Sequence, residues 1–262
     1  MKKIISVINQ KGGVGKTTTV INLSTALAQL GKKILVVDLD PQGNATTGLG
    51  KSNNEIDKNI YKAIIGQTDP KMCIQSSNVK NLDIIGSNVN LSGLEVETAN
   101  DPNRAFLLKE ILIEKNKDLF DKYENIFIDC PPSLSLLTVM SLVVADELLV
   151  PLQTEFFALE GISQLVKTID RIKINLNPTL EIRGILLTMF DKRNKLSTQV
   201  DDEARKYFKE KVYKTVIPRN VRLSEAPSHG IPCIVYDKEC LGSQSYISLA
   251  KEFIEQENKK AI

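Results

Sequence analysis

The chain has 262 residues, 42% of them hydrophobic and 25% charged, with 34 basic and 32 acidic side chains for a formal net charge of +2. That is the composition of an ordinary soluble globular protein, long enough to bury a core on both faces of a sheet. No apolar run approaches the roughly 20 residues of a membrane span, since the longest, around Leu134 to Val150, is broken by Ser141, Asp146 and Glu147.

The chain runs directly into an apolar stretch from Ile4 to Ile8, which predicts a strand and leaves no expected room for a signal peptide. Thr19 to Leu30 carries a helical pattern, and between the two lies Asn9-Gln10-Lys11-Gly12-Gly13-Val14-Gly15-Lys16-Thr17-Thr18. Strand, glycine turn and helix N-terminus form the geometry in which backbone N–H groups and the helix dipole converge on an anion. Gly12, Gly13 and Gly15 let the backbone close around a phosphate. Lys16 is placed to reach the β- and γ-phosphates of a nucleotide, and the Thr17 hydroxyl to take one position on Mg²⁺. The common phosphate-loop pattern, G-x-x-x-x-G-K-[ST], asks for Gly at position 10. Here Gln10 stands there, and a second lysine, Lys11, sits at the loop mouth.

Next in order, Lys33 to Val37 reads as a strand ending in Asp38-Leu39-Asp40-Pro41-Gln42-Gly43-Asn44. A polar, less regular section runs from Lys51 to about Asp101. It holds a short helical pattern at Ile60 and Ile64, a strand at Leu82 to Ile85, and a short helix at Leu91 to Thr98. Arg104 to Lys115 reads as helix, and Asn125 to Ile128 as a strand closed by Asp129-Cys130-Pro131-Pro132-Ser133. An acid there, in the manner of a Walker B residue, holds Mg²⁺ directly or through water. Helix Leu136 to Val144, strand Glu147 to Pro151, helix Leu159 to Ile174, strand Ile182 to Met189 and helix Lys195 to Phe208 come next. A late strand at Val212 to Ile217 and a closing helix at Tyr246 to Ile254 complete the series. Such alternation predicts an α/β fold: a mainly parallel twisted sheet with helices on both faces, in a single domain over residues 1–262 that the glycine loop marks as a P-loop nucleotide-binding domain.

The K-G-G-x-G-K-T loop resembles the deviant Walker A motif of the ParA/MinD ATPases. Four more stretches are similar to the chromosomal ParA (Soj) group: Asp38 to Asn44, Asp129 to Ser133, Glu155 to Gly161, and Ile217-Pro218-Arg219-Asn220-Val221-Arg222-Leu223-Ser224-Glu225-Ala226-Pro227-Ser228. The likeness runs from about Ile4 to Phe253. It implies ATP and Mg²⁺ as ligands, slow intrinsic ATP hydrolysis, and an ATP-bound homodimer in which Lys11 crosses to the other subunit's nucleotide. It further implies that Asp40 orients the attacking water, that Asp38 supports Mg²⁺ from one layer out, and that Pro218 and Asn220 lie near the adenine. Lys11, Lys16 and Asp40 are then the catalytic set, and Thr17, Asp38 and Asp129 the metal set. Family members bind double-stranded DNA nonspecifically as ATP dimers, on the nucleoid in the cytoplasm, and are stimulated by a ParB-type partner. Arg193 and Arg222 match the DNA-contacting arginines best.

Charge distribution points the same way. From Lys192 to Arg222 there are ten basic and four acidic residues, a local charge of +6 against −4 for the remainder. Concentrated positive charge suits a phosphate backbone without sequence readout, although a solvated helix face has the same composition. Tyr246, Leu249, Ala250, Phe253 and Ile254 form an i, i+3, i+4, i+7, i+8 stripe, which reads as core packing rather than a membrane-surface helix. The mixed-sign tail from Glu255 to Ile262 reads the same way, so no membrane partner is expected. Cys73, Cys130, Cys233 and Cys240 share no metal spacing and read as reduced thiols, and His229 has no nucleophile paired with it. The expected function is a partitioning switch for a chromosome or plasmid. A MinD-like positioning factor and a DNA-associated regulator of replication or transcription remain the alternatives.

Overall fold

The computed structural model describes residues 2–260. Seven strands form one sheet: β1 (Lys3–Val7), β2 (Ile34–Asp38), β3 (Ile74–Ser76), β4 (Leu82–Ile85), β5 (Asn125–Asp129), β6 (Glu147–Gln153) and β7 (Glu181–Thr188). Their order is β3-β4-β2-β5-β1-β6-β7, parallel throughout except for the antiparallel pair β3 and β4. Every residue of β2 and β5 is buried. Strands covered on both faces read as continuous apolar runs rather than alternating ones, which is why they were legible.

Helices cover the sheet on both faces, among them eight that pack its two sides or border the site at its edge. The eight are α1 (Lys16–Gln29), α2 (Asn44–Gly48), α3 (Leu136–Val144), α4 (Ala158–Asn175), α5 (Lys195–Phe208), α6 (Val221–Glu225), α7 (Cys233–Tyr236) and α8 (Leu241–Lys260). On one face of the sheet α1 and α8 pack together, Val20, Leu23 and Leu27 meeting Phe127, Tyr246 and Phe253 in one cluster. Leu136 and Met140 of α3 pack with Leu35 and Ile126 on the other face. A third cluster joins α4 and α5 to β6 and β7. Tyr246, Leu249, Ala250 and Phe253 are fully buried, so the apolar stripe of the closing helix is core, as its spacing suggested. No helix among the described residues is long and apolar enough to cross a membrane. The last two residues of the tail, Ala261 and Ile262, lie outside the described residues.

Several expectations change. Val212 to Ile217 is not a strand. It meets β7 at one isolated bridge, Ile185 with Val212, and through the Tyr213 and Ile217 N–H groups, which donate to the Ile185 and Leu187 carbonyl oxygens at 3.0 and 2.8 Å. The Glu252 carboxylate of α8 takes the N–H groups of Lys214 and Thr215 at 2.7 and 2.9 Å, so those donors point at α8 and the ladder breaks. Arg104 to Lys115 is helical as expected, but with three different windings. A 3₁₀ turn (Arg104–Phe106) and a single α turn (Leu107–Lys109) lead into a π-wound stretch (Glu110–Lys115). β3 escaped notice because three partly exposed edge residues carry no period. The closing helix runs from Leu241 to Lys260, well beyond its apolar stripe.

Candidate nucleotide site

β1 delivers the loop 8–15 to the start of α1, and the sheet places its neighbours. Asp129 at the end of β5 is in register with Val7 on one side and with Asp38 on the other. The acids therefore stand at the carboxyl edge of the sheet beside the loop, because β5 lies between β1 and β2. Gly13 and Gly15 have φ of 75° and 88°, a conformation that costs a side-chain-bearing residue strain. Gly12 has an ordinary φ, and a Cβ there would meet only the Pro132 Cβ at 3.8 Å, so its backbone freedom is not what the loop needs. Gly15 caps α1 without a side-chain acceptor, and the first turn carries no acid. Its N–H donors are left for an external acceptor.

The two lysines go opposite ways. Lys16 is buried, and its ammonium donates to the Lys11 carbonyl oxygen at 3.0 Å. Burial pulls its pKa below the usual lysine value, while Asp129, Cys130 and Asp40 favour its charge. Lys11 leaves the loop, with half of its side chain exposed, and pairs with Glu155. Sequence reasoning missed Glu155 as its partner, since the pairing depends on where the segment after β6 ends. It also missed the loop's fixings. The Asn9 side chain donates to the Pro151 carbonyl oxygen at 2.7 Å and accepts from the Lys11 N–H at 3.0 Å. The Thr188 hydroxyl donates to the buried Val14's carbonyl oxygen at 2.9 Å.

The carboxylates differ in environment. Asp38 is fully buried and accepts from the Thr46 N–H at 2.8 Å, the Thr46 hydroxyl at 2.7 Å and the Asp40 N–H at 3.2 Å. Burial nevertheless pushes its pKa up to about 6. Asp40, nearly buried, accepts from the Gln42 N–H at 2.9 Å. Asp129 is fully buried, and among the described residues neither of its oxygens has a well-formed hydrogen bond, the nearby Thr17 hydroxyl making only a weak one. Burial, then the Asp38 charge, raises its pKa well above the carboxylate range, with the Thr17 hydroxyl and the Lys16 ammonium acting against that rise. A buried carboxylate of this kind beside a hydroxyl and a phosphate loop fits a hard divalent cation, because oxygen ligands and negative charge are what Mg²⁺ takes. Asp129 and Thr17 can hold it. Asp38, with its lone pairs committed to Thr46, cannot readily turn to it.

A cavity of about 520 Å³ opens from Gly15, Thr17 and Thr18 toward Met189, Pro218 and Asn220. The structure thus brings the loop and the distant 217–228 segment to one concavity. The Asn220 side chain also accepts from the Arg222 N–H at 3.0 Å, capping α6. Arg193 and Arg222 lie outside the cavity. Phe190 bridges Pro218, and the Arg219 N–H donates to the Phe190 carbonyl oxygen, so the loops that carry the two arginines lie side by side. Arg193 pairs with Asp191 at 3.0 Å, and Arg222 with Glu225 at 2.8 Å and Asp237 at 3.4 Å. The basic segment does not form one patch. Lys192, Arg193, Lys195, Arg219 and Arg222 are at the nucleotide edge of the sheet, whereas Lys206, Lys209 and Lys211 are at the other end of α5, a helix about 20 Å long.

A family model described as an AAA domain matches residues 2–182. The sporulation initiation inhibitor protein Soj of Bacillus subtilis (strain 168) is 49% identical over 252 residues, covering 96% of this chain and 98% of that protein. The chromosome partitioning protein ParA of Caulobacter vibrioides (strain NA1000 / CB15N) is 47% identical over 260 residues, covering 98% and 96%. Among solved structures, cobyrinic acid a,c-diamide synthase from Mycobacterium smegmatis with bound ADP and magnesium superposes with a TM-score of 0.85 at 29% identity, covering 98% of this chain and 96% of that one.

Proposed function

From a chain that belongs to the Soj/ParA family of chromosome-partitioning proteins, we propose a switch ATPase that dimerises around ATP, binds DNA nonspecifically in that state, and lets go on hydrolysis. It would work on the nucleoid, in the cytoplasm. Lys11 carries this reading. A loop that only gripped a nucleotide would need the buried Lys16 alone, yet a second lysine extends outward from the same turn, half exposed and held there by a pair with Glu155 that a facing subunit's nucleotide would displace.

In this mechanism the N–H donors at the start of α1 and the Lys16 ammonium bind the phosphates. Thr17 and Asp129 would hold Mg²⁺, which would supply charge neutralisation to the bound phosphates. Asp40 orients the water that attacks the γ-phosphate. Phosphoryl transfer asks a protein mainly for positioning and electrostatic stabilisation, and these residues offer both. Pro218 and Asn220 border the cavity on the base side. Lys11 of each subunit completes the site of the other, so the dimer persists only while the nucleotide keeps its γ-phosphate. Pairing two subunits doubles the set of Arg193, Arg222 and their neighbouring lysines on one face. ATP thereby licenses DNA contact, and a ParB-type partner triggers release.

The test is gel filtration with ATP, with ADP and without nucleotide, each with and without duplex DNA. A dimer confined to ATP, and DNA retention confined to that dimer, is the expected result. DNA binding of equal strength without nucleotide would overturn the switch.

A further inference from the structure

Cys233 and Cys240 are seven residues apart in sequence and show no motif, but the fold sets their sulfurs 3.6 Å from each other. The pair is built into the fold. The Cys233 N–H donates to the Asn22 side-chain oxygen at 2.9 Å, fixing the first residue of α7 against α1. Cys240 directly precedes α8, and its sulfur accepts from the Ser243 N–H at 3.4 Å, so it occupies the capping position of that helix. The buried Ser243 hydroxyl lies 3.3 Å from one sulfur and 3.4 Å from the other. Cys233 is buried and Cys240 partly exposed. Cys73 and Cys130 are both buried. Among the described residues no metal-ligating group of three or more His, Cys, Asp and Glu includes them.

We propose that Cys233 and Cys240 form an oxidisable dithiol that a peroxide closes to a disulfide. Cys240, the accessible sulfur, reacts first as its thiolate. It attacks one peroxide oxygen, the O–O bond breaks, and hydroxide leaves to become water on protonation. Cys240 is then a sulfenic acid. The Cys233 thiol loses its proton and its sulfur attacks the Cys240 sulfur. The S–O bond breaks and a second water departs. Two thiols are oxidised to one disulfide while one peroxide is reduced to two waters. Burial pushes the Cys233 thiol up to about 12, which keeps it protonated and out of the first step. The remaining motion is small, since a disulfide spans about 2.05 Å and side-chain rotation at two facing cysteines supplies the approach. With one of its two sulfurs partly exposed, the pair stays open to a reductant, so the bond is reversible rather than structural. The ring so closed contains Tyr236 and Asp237, the aromatic face and carboxylate against which Arg222 rests.

The experiment treats the full chain with hydrogen peroxide, alkylates the remaining thiols under denaturing conditions, and maps tryptic peptides by mass spectrometry. Cleavage after Lys238 separates the two cysteines, so a disulfide joins the peptides Leu223–Lys238 and Glu239–Lys251. Expected is the loss of two of the chain's four thiols, the linked peptide pair, its disappearance on reduction, and full alkylation of Cys73 and Cys130. In Cys233→Ser a sulfenic-acid trap such as dimedone should label Cys240. Linked peptides absent while Cys233 stays fully alkylated, or links only between separate chains, would overturn the proposal. Trapping on Cys233 in Cys240→Ser, with none on Cys240 in Cys233→Ser, would reverse the assigned order and refute it as stated.

Discussion

Two lysines five residues apart in one loop meet different physics. Lys16 is buried among carboxylates and tied to the Lys11 carbonyl oxygen. Lys16→Ala should therefore weaken ATP binding at least about tenfold, the scale of one charge-assisted contact, and calorimetry would detect it. Lys11→Ala should keep nucleotide affinity yet lose the ATP-dependent dimer in gel filtration. Glu155→Gln should act in the other direction, because the Lys11 ammonium is then free of its partner. Exposed pairs contribute at most about 1 kcal/mol, so the gain in dimerisation should stay under about fivefold. Asp129 allows a pH argument. Its folded-state pKa is raised, so the folded protein binds that proton more tightly than the unfolded chain does. Stability then falls as pH rises from the ordinary carboxylate range, near 4, toward the raised value, and ionised Asp129 is a cost above it. In nucleotide-free, metal-free protein Asp129→Asn should raise the melting temperature at pH 8, by about 2–4 °C per kcal/mol, with the gain shrinking toward pH 5. A lower melting temperature for the variant at pH 8 would show that the carboxylate is not held at such a cost.

At the scale of elements, α8 holds the sheet and the site together. Phe253 is fully buried, packs at 5.9 Å on Phe127 of β5, and lies 3.5 Å beneath the Arg183 guanidinium, which pairs with Glu147 in β6. Phe253→Ala should cost about 3–5 kcal/mol, the range for emptying a large aromatic site, measured by chemical denaturation. A loss below about 1 kcal/mol would mean that α8 is a peripheral cover. The Tyr246 hydroxyl on the same helix is 3.0 Å from that of Thr19 in α1, and Tyr246 also borders the nucleotide cavity. The stripe read as core packing thus lines part of the site as well. The phosphate loop was legible because glycines, lysine and threonine act locally, within one turn. The 212–217 run was misread because it is rich in β-branched and aromatic residues, yet two of its donors, the Lys214 and Thr215 N–H groups, are claimed by Glu252, some forty residues later.

At the scale of the molecule, the proposed DNA contact turns on which of the two groups of basic residues carries it. Arg222→Glu with Arg193→Glu should weaken binding to two unrelated duplexes equally, with ATP present and the dimer intact. Removing each phosphate contact should lower the slope of log affinity against log salt by roughly one unit. Lys209 and Lys211, at the other end of α5, should leave that slope unchanged when neutralised. If the Lys209 and Lys211 pair mattered as much as the arginines, the nucleotide edge would not be the DNA face. Equal losses on both duplexes are required, since the proposed contact has no base readout.

The sequence alone determined the strand–loop–helix unit around Lys16, the acids at the ends of β2 and β5, and the parallel α/β architecture. Each is written in short-range spacing: a glycine turn, an apolar run closed by Asp, a helical stripe. Only the tertiary structure decided which distant groups meet. Glu155 faces Lys11, Thr188 pins Val14, Pro218 borders the loop's cavity, and Cys240 reaches Cys233. Such contacts depend on strand order, and the placing of β5 between β1 and β2 is set by packing across the whole sheet, which no local pattern encodes. The same reason splits the +6 segment, since a charge count along the chain is blind to the length of the helix that carries half of it to the far edge.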